Sequence, residues 1–179
     1  SNPTQTSLDS MFSKQGVLNM LNTRYIIYNT ESPPLINKYS LGNVWFVGDV
    51  KMGKNADEEI KMVGEIDPAK TVVVDKRYEK ELSGFTLKMD STATIKLIDY
   101  KANDLKYESN ASSEQLAVFS EIYYNEGWNA YIDGELKPYF RGSWILRTMR
   151  IPSGKHTIEF KFKPTTYLIG EKIALGSGI

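Results

Sequence analysis

The chain has no cysteine and one histidine, His156, among its 179 residues. The first absence excludes disulfides, thiolate metal sites and cysteine nucleophiles, without fixing the compartment. The second excludes multi-histidine zinc sites and leaves one imidazole as a base. Neither sign of charge is in excess: 22 Lys+Arg stand against 22 Asp+Glu. Residues 1–90 carry 11 basic and 12 acidic groups, and residues 91–179 carry 11 and 10. Such a balance gives no compositional support for a nucleic-acid partner or an anionic-membrane patch. No run of about 18 apolar residues is present, so nothing here spans a bilayer. Residues 1–10 are polar and lack the apolar core of a signal peptide. The G-x-S-x-G elbow, the phosphate-binding P-loop and the G-x-G-x-x-G turn are all missing. Lys51 stands where a calcium loop would need an oxygen ligand. No catalytic residue, metal site or cofactor is expected.

What is present is a soluble globular composition, 41% apolar and 25% charged, long enough for one domain or two small ones. The apolar spacing of Leu8, Met11, Phe12, Leu18 and Leu21 predicts a helix over 7–22, with Ser7 as N-cap and Gly16 as a weak point. Residues 24–28 read as a short strand, and Pro33-Pro34 forces an extended break. Residues 43–50 read as a buried strand, 56–63 as a short charged helix, and 71–74 as a strand covered on both faces. From residue 92 the period becomes two. His156, Ile158, Phe160 and Phe162 alternate with Thr157, Glu159, Lys161 and Lys163, the clearest half-buried strand in the chain. Asp133-Gly134 is a strong hairpin signal between 128–132 and 135–139. The expected fold is mainly β (α+β). Residues 91–166 form an antiparallel β-sandwich of about six to eight strands, and a smaller mixed α/β part, 1–90, packs on it. Residues 167–175 start an apolar trend, which suits either a plain strand or helix or the first turns of a membrane helix.

Few side chains suggest chemistry. Glu58 and Glu59 are adjacent on a helix and read as a solvated face. His156 reads as a histidine at the edge of the core with one hydrogen bond. The dense feature is aromatic: eight of the 21 aromatic residues lie between Phe119 and Trp144. Alternation puts Tyr124 with Ile122 and Val118 in the core, and Trp128 with Ile132. Core packing accounts for most of these rings. The functional alternative is a sugar platform, in which Glu121, Tyr123, Tyr131, Asp133, Arg141 and Arg147 surround the apolar face of a pyranose.

Four stretches carry a family resemblance. They are Val17-Leu18-Asn19-Met20-Leu21-Asn22-Thr23-Arg24-Tyr25-Ile26-Ile27; Leu41-Gly42-Asn43-Val44-Trp45-Phe46-Val47; Ser120-Glu121-Ile122-Tyr123-Tyr124 through Gly127-Trp128 to Ile132-Asp133-Gly134; and Leu146-Arg147 through Ile151-Pro152-Ser153-Gly154-Lys155-His156 to Phe160. In order and spacing they resemble the YfhO-type bacterial membrane proteins. The resemblance implies an extracytoplasmic (periplasmic) domain from a multi-span glycosyltransferase that uses lipid-phosphate sugars. Its place is near the end of the parent chain, before a final membrane helix. Residues 167–179 are then the start of a juxtamembrane or membrane segment, and the domain's partners are the membrane, through flanking spans, and a glycan. The catalytic carboxylate of such transferases lies between early membrane spans, so no catalytic role carries over to this chain. A free-standing glycan-binding module and a sandwich-based hydrolase are the other readings.

Overall fold

The computed structural model describes residues 10–27 and 29–164. The chain is mainly β, as the alternation predicts, and it stacks two sheets with a coat of helices and links on one of them. The expected N-cap Ser7 and the segment 167–179 lie outside the described residues. Instead of one helix over 7–22, residues 10–13 form one turn, the chain breaks at Lys14-Gln15, and α1 (Gly16–Met20) follows. Gly16 is where α1 approaches Pro68; a Cβ there would meet the proline ring at 3.1 Å. A short hairpin, β1 (Tyr25–Ile26) with β2 (Leu35–Ile36), comes next.

The expected strand over 43–50 is two strands, β3 (Val44–Val47) and β4 (Asp49–Gly53). Between them the N–H groups of Gly48 and Asp49 both donate to the Lys70 carbonyl, at 2.9 and 3.0 Å, and the chain changes partner. Helix α2 (Ala56–Val63) begins where expected. Asn55 accepts from the Glu58 N–H at 2.9 Å and Glu58 from the Lys54 N–H at 2.8 Å, a reciprocal cap. It crosses over to β5 (Thr71–Asp75), which runs parallel to β4 and is buried on both faces. A 3₁₀ helix (Lys76–Leu82) follows. The carboxylate of Asp90 then accepts from the N–H and hydroxyl of both Thr92 and Ser112, and these bonds hold it well below the usual carboxylate range.

The later strands are β6 (Thr94–Lys101), β7 (Asp104–Ala111), β8 (Gln115–Ile122), β9 (Trp128–Ile132), β10 (Glu135–Lys137), β11 (Phe140–Gly142), β12 (Leu146–Ile151) and β13 (Gly154–Phe162). The six-stranded sheet runs β3-β8-β12-β11-β5-β4, so it draws strands from both sides of residue 90. The five-stranded sheet runs β10-β9-β13-β7-β6 and is antiparallel throughout. Side chains between the sheets include Ala117, Phe119, Met149 and Ile151 from one and Leu105, Tyr107, Ile158 and Phe160 from the other. The opposite face of the six-stranded sheet, with Leu116, Val118 and Leu146, packs against Met20, Val63 and Tyr78. At the centre, the rings of Tyr107, Phe119 and Phe160 meet edge to face, with centroids 4.9 to 6.2 Å apart.

Tyr124 corrects the expectation. It is 52% exposed, and Ile122 is exposed with it. Leu146 pairs with Ile122 but Arg147 pairs with Phe119, so β8 carries an irregularity that ends its strict alternation after Phe119. The central ring cluster is fully buried and packed edge to face, so a deleted ring leaves a cavity there. Phe160→Ala is expected to cost about 3–5 kcal/mol in urea unfolding, and a loss below about 1 kcal/mol would contradict this packing.

Candidate functional site

The loop 123–127 between β8 and β9 and the Pro138-Tyr139 link after β10 border a wide, open cleft of about 410 Å³. Tyr123, Trp128 and Tyr139 form its aromatic walls, and Asn125, Asn129 and Lys137 supply polar groups. Local chemistry fixes each wall. Gly127 has φ 91°, and a Cβ there would meet Phe162 and Pro164 at 3.0 Å, so glycine alone lets the loop close on the end of β13. The Tyr123 N–H donates to the Ile145 carbonyl at 2.6 Å. The Tyr139 hydroxyl donates to the Tyr124 carbonyl at 3.0 Å and thereby ties the loop down. Tyr123 packs on Tyr139 with centroids 5.5 Å apart and meets Tyr78 edge on at 6.2 Å. Burial, then the hydrogen bond with Tyr78, pushes the Tyr123 phenol up to about 12.

Beneath Trp128 lies Arg147. Its guanidinium carbon sits 4.2 Å from the Trp128 ring centroid and 5.0 Å from that of Phe160, and its Nε donates to the Ile122 carbonyl at 3.1 Å. The residue is only 3% exposed, so it supports the tryptophan from inside and presents no charge to a ligand. Glu121 is partly buried nearby, and desolvation raises its pKa despite the attraction of Arg147. Tyr123, Glu121 and Arg147 therefore gather at one end of the sandwich.

The other three residues of the sequence-derived platform lie elsewhere. Tyr131 sits with Lys161, whose ammonium is 5.7 Å from its ring centroid, and pairs across the ladder with Glu159. Asp133 and Gly134, with φ 51° and 85°, form the two-residue turn between β9 and β10 at the far end of β9 from Trp128. Arg141 pairs with Glu59 at 2.8 Å, beside Trp144.

Two residues behave differently from their sequence reading. Glu59 is fully buried, not solvated. Its carboxylate accepts from Arg141 at 2.8 Å and from the Trp144 N–H at 2.8 Å, with Asp75 3.7 Å from the same guanidinium. Desolvation raises its pKa against those two partners. The available signal was its place four residues before Val63, on the face α2 turns inward. His156 has both ring nitrogens engaged. Nδ1 lies 2.6 Å from the Asp133 carboxylate and Nε2 lies 2.9 Å from the Ser153 carbonyl. Both partners are acceptors, so the imidazolium satisfies both bonds, and its pKa is raised, first by Asp133 and then by Ser153. Asp133 is lowered in turn, by His156 first and then by the Thr157 N–H. The histidine is thus a clasp between two turns, with no nitrogen left to act as a base. Among the described residues, no group of three or more His, Asp or Glu is placed to hold a metal ion.

Comparison with family models, curated proteins and solved structures finds no match to the chain.

Two expectations follow from these ion pairs. Arg141→Met strands a buried carboxylate and is expected to cost about 3 kcal/mol or more, whereas adding Glu59→Gln to that variant recovers part of the loss. Chemical denaturation of the single and double variants measures both, and a double variant weaker than the single one would refute the pairing. For the clasp, the raised histidine contributes fully below about pH 6.5 and is lost as pH rises through its elevated value. The lowered aspartate contributes above about pH 3.9 and is lost as pH falls through its depressed value. The clasp is complete between about pH 4 and 6.5. Because Asp133 is half exposed, it is worth about 1 kcal/mol. In Tm-against-pH profiles, Asp133→Asn should flatten the decline that the unsubstituted chain shows above about pH 6.5. An unchanged slope would remove the clasp from the account.

Proposed function

We propose that this chain is a non-catalytic, extracytoplasmic accessory domain of a multi-span bacterial membrane glycosyltransferase, and that its aromatic cleft helps position a glycan acceptor. The observation that carries the reading is the cleft itself. Three aromatic rings offer flat apolar surface for the C–H face of a pyranose, and two asparagine amides and a lysine supply hydrogen bonds for its hydroxyls. The occupied nitrogens of His156 support the non-catalytic part. The four sequence stretches that resemble the YfhO-type proteins support the membrane setting, on the periplasmic face of the cytoplasmic membrane. A free-standing glycan-binding sandwich uses the same cleft and differs in having no flanking spans.

Titration of the chain with a panel of oligosaccharides by NMR is expected to shift the Trp128 indole and the Asn125 and Asn129 amide signals. Asn129→Ala and Tyr123→Ala should each weaken binding by up to roughly tenfold, the equivalent of about 1.4 kcal/mol, with circular dichroism unchanged. A panel that moves none of these signals overturns the glycan reading. Turnover of a lipid-linked sugar by this chain alone overturns the non-catalytic one.

A further inference from the structure

Exposed apolar side chains collect at one end of the molecule. Loop 123–127 joins the end of β8 to the start of β9, which places Ile122 and Tyr124 beside Trp128. Tyr100, near the end of β6, pairs with Leu105 of β7, which pairs in turn with Phe160 of β13. The β1–β2 hairpin is anchored at this same end. The Ser120 hydroxyl donates to the Met20 carbonyl, the Ser120 N–H donates to Asn43, and the Asn37 amide donates to both Asn19 and Thr23. That hairpin region exposes Tyr25, Ile27 and Ile36. All six of these side chains are more than half exposed. One exposed isoleucine needs no explanation, but six at one end form a surface.

The chain also leaves the sandwich at this end. Phe162 pairs with Trp128, the Lys163 N–H donates to the Gly127 carbonyl at 2.6 Å, and Pro164 lies against Gly127. The sequence beyond contains Tyr167-Leu168-Ile169 and Ile173-Ala174-Leu175. Tyrosine, tryptophan and isoleucine flanked by exposed Arg24 and Lys163 is the composition of a water–lipid boundary, where rings sit at headgroup depth and cations reach the phosphates. We infer that this end of the sandwich rests on a lipid bilayer, with Tyr25, Ile27, Ile36, Tyr100, Ile122 and Tyr124 entering the headgroup layer. The cleft then opens beside the membrane surface. The inference extends the membrane setting proposed above, but it needs no glycan in the cleft, so vesicle binding without sugar separates the two.

The test uses the whole chain and vesicles of phosphatidylcholine, alone and with one quarter phosphatidylglycerol. The chain is expected to float with both. Tyr100→Ser, Ile122→Ser and Tyr124→Ser combined should lower partitioning by roughly tenfold or more, while Met89→Ser, exposed beside Asp90 near the start of β8 and so at the opposite end, should leave it unchanged. Because the chain has no cysteine, Tyr124→Cys and Met89→Cys each create a single labelling position. An environment-sensitive dye at 124 should brighten and shift to the blue on vesicles, and at 89 it should not. The inference is overturned if the triple variant floats as well as the parent, if the dye at 124 stays silent, or if the chain does not float. It is also overturned if the same substitutions abolish a dimer in sedimentation and leave vesicle binding intact.

Discussion

Strand β8 is the constraint on which the rest depends. From Gln115 to Phe119 every residue is buried, and the two faces of the strand serve different neighbours. Ala117 and Phe119 meet the five-stranded sheet, whereas Leu116 and Val118 meet the coat of helices and links. A strand with two buried faces cannot slip by one residue without exchanging its entire contact set. Its register therefore sets where β3 and β12 lie, and through them the whole six-stranded sheet. The irregularity after Phe119 releases the chain from that double burial and turns Ile122 and Tyr124 outward.

The cleft inherits its rigidity from this arrangement. Trp128 stands between a hollow at the surface and a buried guanidinium, and Phe160 closes the other side of that cation. Tyr139 is held by a loop carbonyl and by contact with Phe160, at a centroid separation of 5.3 Å. Rings fixed in this way are preorganised and have little conformational freedom left to lose. The buried cation is held at a cost: burial lowers its pKa, and its Nη1 finds no hydrogen-bond partner among the described residues, so the ring faces and the nearby Glu121 offset only part of the lost water.

Much of the fold was legible in the chain. Helix α2 follows from its acidic first turn, the β9–β10 hairpin from Asp133-Gly134, and β13 from its alternation. What was hidden depends on neighbours distant in sequence. The period of two could not reveal that β3, β4 and β5 join the sheet of β8, nor that a lysine carbonyl divides 43–50 into two strands. Tyr124 was misplaced because alternation assumes a regular ladder. The reading of Trp128 as core holds, since it packs against the inter-sheet cluster, but alternation does not show that it and Tyr139 also border the hollow with Tyr123. The outward position of Tyr131 and the internal use of Arg141 and Arg147 depend on partners that adjacency in sequence does not disclose. Sequence does not disclose the burial of Glu59, because a charged residue on a charged helix looks solvated until Arg141 arrives from more than eighty positions away.

The order of the six-stranded sheet has a consequence for biogenesis. Val44 finds its ladder partner only at Phe119, and β5, although paired with β4, meets its second neighbour only at Gly142. During synthesis β3 must wait, unpaired and apolar, until β8 has been made, and the β4–β5 pair keeps an open edge until the chain has grown past residue 142. Such long closures favour slow folding and leave a window in which these segments need protection from wrong partners.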